Sequence, residues 1–134
     1  MTPQTTNLTG VWDGRYAYPR GLEPVPFQAV LLEFGPAFTG SIWEICDTGP
    51  ERGRRLDAAV EGRCDGRRVA FVKRYDGAGG RSHAVAYAGE LSADGCEITG
   101  RWTITPAWSG WFLMIRPPSR EAAVERKATE RAQV

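Results

Sequence analysis

Eight stretches in which apolar and polar residues alternate follow one another along this chain, and they constrain its fold more than any other feature. Side chains two residues apart lie on the same face of a β-strand, so this alternation is typical of strands with one buried and one solvated face. None of the stretches shows a sustained helical period. The predicted strands are Thr9–Tyr18, Val25–Phe34, Phe38–Asp47, Leu56–Arg63, Arg67–Asp76, Ser82–Ser92, Cys96–Ile104 and Ser109–Pro117.

The connections between these strands are alternately short and long. The short ones are Gly35-Pro36-Ala37, Asp65-Gly66 and Ala93-Asp94-Gly95. The two Asp-Gly pairs indicate hairpin turns with positive φ angles, and hence antiparallel neighbours. In a sequential antiparallel sheet, this alternation places every short turn at one end and every long loop at the other. The longer connections are Arg20–Pro24, Thr48–Arg54, Gly77–Arg81 and Thr105–Trp108.

The predicted fold class is all-β, an eight-stranded antiparallel up-and-down β-barrel. An open sheet has two exposed edges, whereas pairing of the first strand with the last removes both and leaves room for side chains or one small ligand. The domain organisation that follows is a flexible N-terminus over residues 1–8, a barrel domain over 9–117 and a charged C-terminal segment over 118–134. We expect this last segment to form a short helix or a tail.

Composition excludes several functions. With 134 residues, 42% of them hydrophobic, the chain is long enough to bury one core. Its formal net charge of +1 provides no long-range attraction to nucleic acids. No apolar run approaches the roughly 20 residues that span a bilayer, so membrane insertion is not expected. The N-terminus also lacks the basic start and apolar block of a signal peptide, so export is not expected either.

The cysteines indicate the compartment. Cys46, Cys64 and Cys96 are odd in number and show no CxxC spacing, which favours reduced thiols in a cytoplasm over disulfides or a zinc site. The single histidine of the chain is not enough to build a His-rich metal site. We therefore expect a cytoplasmic protein with no metal and no cofactor.

Two features near opposite ends of the predicted barrel domain resemble a known superfamily. Thr9-Gly10-Val11-Trp12 opens the first strand, and Arg116 lies near the end of the last. The pattern resembles the calycin superfamily of lipocalins, fatty-acid-binding proteins and avidins, and among these the small intracellular barrels of bacteria. The resemblance implies that Trp12 plugs the closed end, that Arg116 packs over it, and that the barrel holds an apolar ligand. A guanidinium stacked on an indole gains about 0.5–2 kcal/mol, which by itself justifies such a pair structurally.

Alternation also predicts which side chains face the interior near the open end. Following the more apolar face of each strand places three ionisable residues there, namely Glu44, Lys73 and His83. An inward charge is costly unless it is paired or solvated. Glu44 and Lys73 therefore either line a pocket or pair near a solvated rim, and His83 either lines the pocket or is solvated beside a glycine-rich turn. The predicted ligand-binding residues are Glu44, Phe71, Lys73, Tyr75, His83, Tyr87, Trp102, Trp108 and Phe112.

Two kinds of chemistry fit such a lining. The first, which we favour, is binding of a small, mostly apolar molecule whose carboxylate or carbonyl is anchored by Lys73, Tyr75 or His83. The second is a cofactor-independent isomerase or cyclase, in which Glu44 or His83 moves a proton and Tyr75 or Lys73 steadies an oxyanion. These four residues are the catalytic candidates.

A third function needs no cavity at all. If side chains fill the interior, the barrel serves as a protein-interaction module. Trp43 and Trp111 alternate out of the inner face, and exposed tryptophans of this kind mark a contact surface between subunits. A homodimer is the partner expected under this hypothesis.

Overall fold

The computed structural model describes residues 7–19, 23–47, 49–76 and 83–117, and these residues form an all-β structure. The predicted fold class is confirmed, since all eight strands are present within two residues of their expected bounds. Buried and exposed positions alternate along most strands, as the sequence pattern requires. The strands are β1 (Gly10–Tyr16), β2 (Val25–Phe34), β3 (Ala37–Ile45), β4 (Arg55–Asp65), β5 (Arg68–Tyr75), β6 (Ala84–Leu91), β7 (Glu97–Thr105) and β8 (Trp108–Ile115).

The strands pair in sequence order and close into a barrel. Every neighbouring pair is antiparallel, and closure occurs where β1 meets β8, with Asp13 opposite Ile115 and Tyr16 opposite Phe112. Closure pairs both edges that an open sheet of eight strands would expose. We call the end where β1 begins and β8 finishes the closed end, and the opposite end, where β1 finishes and β2 begins, the mouth.

Short turns join the strands at the closed end, as predicted, but the two Asp-Gly turns depend on glycine alone. Gly66 and Gly95 take φ angles of 61° and 74°, whereas no other residue type has a positive φ among the described residues. In the first of these turns Asp65 pairs with Arg68, so Gly66 and Arg67 occupy the two central positions, and only the glycine takes a positive φ angle of the kind that primed hairpin turns require. In the second, Asp94 accepts hydrogen bonds from Ser92 Oγ and the Cys96 amide at 2.6 and 3.0 Å.

The connection between β7 and β8 differs from the long loop expected at the mouth. Only Pro106 and Ala107 separate the two strands, so this connection is a two-residue turn. Proline presets the φ angle that the first central position of such a turn requires, which explains why the chain reverses within two residues. Trp108 consequently begins β8 rather than lying in a loop before it.

The closed end holds the plug that the resemblance implied. Trp12 is fully buried, and its Nε1 donates to the carbonyl oxygen of Leu8 at 2.9 Å. The guanidinium of Arg116 lies 4.3 Å from the centre of the Trp12 ring. Its nitrogens donate to three backbone carbonyls, those of Gly95, Thr9 and Asn7, at 3.0, 3.2 and 2.7 Å. Arg116 therefore ties the start and finish of the barrel together while covering the indole.

Aromatic rings fill the middle of the barrel. Phe71 stacks on Tyr87 with ring centres 4.6 Å apart, and Phe112 meets Tyr87 edge-on at 4.9 Å. A Cβ added to Gly14 would lie 2.1 Å from the ring of Phe27, so this glycine is what lets Phe27 pack against β1. This middle layer separates the mouth from the plug.

Parts of the expected domain organisation lie outside the described residues. These are residues 1–6 of the N-terminus and the whole C-terminal segment 118–134, including its expected helix or tail. Leu8 is described and fully buried, so the contacts of the barrel begin before the expected boundary at Thr9. No helix among the described residues is long and apolar enough to cross a membrane.

Candidate functional site

Four polar side chains meet inside the barrel near the mouth. Glu44 and Lys73 are 2% and 1% exposed, and Lys73 Nζ lies 3.3 Å from Glu44 Oε1. Tyr75 donates its hydroxyl to the same carboxylate oxygen at 2.7 Å and accepts from Lys73 Nζ at 2.9 Å. Tyr16 donates to the other carboxylate oxygen, Glu44 Oε2, at 2.5 Å. We call Tyr16, Glu44, Lys73 and Tyr75 the polar cluster.

The closed topology is what brings the polar cluster together. Its members come from β1, β3 and β5, and none of these strands is a hydrogen-bonded neighbour of another. Each side chain points inward because it follows the buried face of its strand: Glu44 lies two residues after Ile42, and Lys73 lies between Phe71 and Tyr75. The contacts between them therefore cross the interior of the barrel.

Aromatic faces surround the ammonium group of Lys73. Its Nζ lies 4.6 Å from the ring centre of Tyr75, 4.8 Å from that of Tyr16 and 5.3 Å from that of Tyr87. A cation within about 6 Å of an aromatic centroid is attracted to the ring, and more strongly when it is desolvated. The rings and the carboxylate thus hold the ammonium in place.

Two phenols of the mouth, Tyr16 and Tyr87, are held in their neutral form. Burial, followed by the charge of Glu44, raises the pKa of Tyr16 well above its ordinary value of 10.0. Burial and the neighbouring Tyr75 and Glu44 likewise raise the pKa of Tyr87. Both hydroxyls consequently keep their protons and can act as hydrogen-bond donors at any physiological pH.

A cavity of about 30 Å³ lies directly above the polar cluster. That volume is close to the share of one water molecule in the liquid. The lining mixes polar and aromatic groups with aliphatic ones and reaches the exposed rim at His83 and Ile104. It is formed by Tyr16, Tyr18, Lys73, Tyr75, His83, Val85, Tyr87, Trp102 and Ile104.

The hydroxyl of Tyr87 opens onto this cavity. Tyr87 is 2% exposed, and its hydroxyl makes no hydrogen bond to any residue in the described part of the chain. Yet among the described residues no fully enclosed side-chain nitrogen or oxygen lacks a partner. The hydroxyl must therefore touch open space, and the space that Tyr87 borders is the cavity. Its hydrogen bond is left for whatever enters there.

Three aromatic residues form a rim above the cavity. Tyr18 meets Trp102 edge-on at 5.9 Å and lies 6.0 Å from Trp108, and the two tryptophans meet at 6.2 Å. Trp102 is buried and donates its Nε1 to the carbonyl oxygen of Ala17 at 3.0 Å, whereas Trp108 is 42% exposed. On the far side, His83 is exposed and packs its ring 5.1 Å from that of Tyr75.

The structure divides the predicted site residues into three groups. Lys73, Tyr75, His83, Tyr87 and Trp102 line the cavity. Trp108 stands at the rim. The remaining three do not line the cavity and lie deeper in the barrel. They are Glu44, Phe71 and Phe112.

Glu44 differs most from its expected role. Both of its oxygens accept hydrogen bonds within the polar cluster, and it does not border the cavity. It therefore positions Lys73 and the two tyrosines and does not itself face a ligand. A role of Glu44 as a general acid or base stays a prediction of the sequence.

Sequence reasoning missed Tyr16 and Tyr18. The signal was available, because both follow Trp12 on the inner face at steps of two residues. The resemblance places Trp12 in the plug, whereas the same face of its strand continues through Tyr16 and Tyr18 to the mouth. Among the described residues, no three histidine, cysteine, aspartate or glutamate side chains lie close enough together to hold a metal ion.

The two tryptophans expected on the outside do point outward, but they lie apart. Trp111 is 44% exposed on β8, and Trp43 is half-buried on β3 beneath the guanidinium of Arg55, which lies 4.9 Å from its ring centre. Two strands, β1 and β2, separate them around the barrel. They do not form a single surface.

Comparison with known proteins supports the fold alone. No protein-family model matches the chain, and no curated protein matches it. Among solved structures, the chain is similar to one described as a redesigned β-barrel, with a TM-score of 0.61 and 15% sequence identity. The match covers 82% of this chain and 91% of the other. The eight-stranded barrel is therefore an architecture that this chain shares with a solved protein.

Proposed function

We propose that this protein binds a small, mostly apolar molecule at the mouth of its barrel. The polar end of the ligand enters the cavity and meets Tyr87 and Lys73. The observation that carries the proposal is the Tyr87 hydroxyl, which is buried, neutral and without a protein partner in the described part of the chain, yet borders the cavity. A buried polar group in this state is satisfied by a ligand or by water.

The size of the cavity limits how much of the ligand enters. A volume of about 30 Å³ admits the polar head of a molecule but not an acyl chain or a haem. Below it, the stacked rings of Phe71 and Tyr87 occupy the interior. The apolar body of the ligand therefore rests on the aromatic rim of Tyr18, Trp102 and Trp108, where a flat ring gains stacking contacts.

The cost of the polar cluster supports a binding role. Burying an ion pair costs desolvation that the attraction between the two charges barely repays, so such a pair is weak evidence for a purely stabilising role. In this barrel the pair fixes the direction of Lys73 and of two phenols beneath an opening. Pre-organised polar groups beneath an apolar rim are the usual composition of a small-molecule site.

The proposal extends to the class and setting of the protein. We place it with the small intracellular barrels of calycin type, acting in the cytoplasm of a bacterium as one domain over residues 9–117. The contact of Arg116 with Trp12 supports this placement.

Binding is tested with a panel of fragments that carry one polar group on one ring: phenol, acetophenone, benzamide and benzoate. Titration of the ¹⁵N-labelled protein should give saturable chemical-shift changes at Tyr87, Trp102 and Trp108 for at least one fragment. Tyr87→Phe should weaken that fragment about fivefold, the cost of one hydrogen bond. Trp111→Phe, on the outer surface, is the control and should leave the affinity unchanged. The absence of saturable shifts for all four fragments would rule the proposal out.

A second candidate function is self-association through the outer face of β1 and β2. Val11 lies directly opposite Val30, and both are about half exposed, as are Leu32 and Phe34 farther along β2. Exposed apolar clusters on a strand pair favour contact with another chain. Sedimentation equilibrium tests this: a dimer that Val30→Lys converts to a monomer supports it, and a monomer at all concentrations contradicts it.

A further inference from the structure

The charges around the cavity also decide what kind of polar head it accepts. Lys73 is the only lysine or arginine among the described residues that line the cavity. With histidine counted as neutral, it is also the only positive charge there. Its charge is already compensated, because Glu44 lies 3.3 Å away and both side chains are buried. The floor of the cavity is therefore electrically neutral as a whole.

We infer that the site selects ligands with a neutral oxygen head, such as a ketone, an amide or a hydroxyl, and discriminates against carboxylates. This inference rests on the proposed function and narrows it. A carboxylate would bring a third charge beside a pair that is already balanced, in a place with little water to solvate it. A neutral acceptor brings no such charge and still accepts hydrogen bonds from the floor.

Rearrangement of the polar cluster would not remove the cost of binding a ligand carboxylate. To pair with it, Lys73 would have to give up Glu44, and the Glu44 carboxylate would be left buried with only the hydroxyls of Tyr16 and Tyr75. One ion pair would then replace another, with a buried charge left over. This cost falls on every anionic head and on no neutral one.

The geometry of the donors points to a single oxygen. The Tyr87 hydroxyl borders the cavity with no protein partner in the described structure, and Lys73 Nζ lies 5.3 Å from the centre of the same ring. Both residues line the same space of about 30 Å³, which is large enough for a water molecule or for one oxygen of a ligand. A ligand oxygen that makes the same hydrogen bonds as a water molecule in this space would replace it without a loss of affinity.

Acetophenone and benzoate form a matched pair for the test, because they have nearly the same shape and differ in charge. At pH 7.5 we expect the wild-type protein to bind acetophenone at least about tenfold more tightly than benzoate. Glu44→Gln keeps the size of the side chain and one acceptor oxygen, which serves one of the two tyrosines, and it removes the compensating charge. In this variant the preference should reverse, with benzoate gaining about tenfold or more.

The outcomes separate this inference from the proposed function. If benzoate binds the wild-type protein as tightly as acetophenone, the inference is overturned while the binding function stands. If none of the four fragments, phenol and benzamide included, binds the wild-type protein, the proposed function itself fails. If Glu44→Gln folds and its preference is unchanged, charge compensation is not the cause of selectivity and the inference is overturned. The wild-type comparison decides even where the variant does not fold.

Discussion

Both ends of the barrel hold a basic side chain against aromatic rings, but they neutralise its charge in different ways. At the closed end, Arg116 is partly exposed, stacks on Trp12 and donates to three backbone carbonyls. At the mouth, Lys73 is 1% exposed, faces three phenol rings and pairs with the Glu44 carboxylate. Carbonyl dipoles and water suffice for the first cation, whereas the second requires a counter-ion.

The difference teaches which end is built for stability alone. Arg116 joins segments that are far apart in sequence and leaves no buried charge without a partner. A stabilising role therefore accounts for the contacts at the closed end. The mouth keeps two opposite charges in a place where apolar side chains of similar volume would often be as stable or more so. Such an arrangement is understandable when the groups it holds in position face a ligand.

Removal of the buried cation should have the largest effect. Lys73→Met keeps most of the side-chain volume but leaves Glu44 as an uncompensated buried carboxylate, so we expect the free energy of unfolding to fall by about 3–5 kcal/mol. Urea unfolding followed by tryptophan fluorescence measures the loss. The double variant Glu44→Gln, Lys73→Met should recover at least half of it. A loss of less than about 1 kcal/mol would mean that the two ends do not differ in the way described.

Arg116→Met is the matching change at the closed end and should cost less, about 1–3 kcal/mol. The variant loses the stacking on Trp12 and three hydrogen bonds, but it creates no buried charge, and water can reach the partly exposed carbonyls. The same urea experiment compares the two variants directly. A loss as large as that of Lys73→Met would break the proposed contrast between the ends.

Alkaline pH should act on the side of the barrel near the mouth, because the pKa values of Tyr16 and Tyr87 are raised there by burial. The pKa of Tyr16 is raised in the folded protein, so the unfolded chain releases this proton first, from about pH 10. Unfolding is therefore favoured as pH rises above that value, and Tyr16 contributes up to about 1.4 kcal/mol per pH unit.

This dependence is measured by urea unfolding between pH 9 and pH 11. Tyr16→Phe should lower stability at pH 8 through the lost hydrogen bond to Glu44, yet its stability should fall less steeply above pH 10 than that of the wild type. Phe38→Leu, near the closed end, should lower stability equally across the range. Equal slopes for the wild type and Tyr16→Phe would show that the phenol is not held neutral.

The smallest effect should come from Tyr87→Phe. Because this hydroxyl has no partner in the described structure, its removal should change the free energy of unfolding by less than about 0.5 kcal/mol. The ring that stacks on Phe71 is kept. Combined with weaker fragment binding, this result would assign the hydroxyl to the ligand. A loss above about 1 kcal/mol would instead indicate a structural role.

Much of the fold was predictable because strand periodicity is a local property. Alternation placed Glu44 and Lys73 on the inner face, and the structure has both side chains buried there. Whether they line a pocket or pair near a solvated rim does not follow from the sequence, because β3 and β5 are not neighbours and their inner faces meet only across the closed barrel. The sequence predicts Trp108 in a long loop, because a Thr-Pro-Ala-Trp segment has too little pattern to show where a two-residue turn falls, and the structure instead begins β8 at Trp108.

The sequence by itself determined the strands, their order, and the face that each side chain takes, since these follow from a two-residue period and from short turns between neighbours. Only the tertiary structure decided that Tyr16 reaches Glu44, that Glu44 lies behind the cavity, and that Tyr87 is left with an unpartnered hydroxyl among the described residues. The reason is geometric. Distances across a barrel depend on its closure and on how its rings fill it, and no local pattern encodes them.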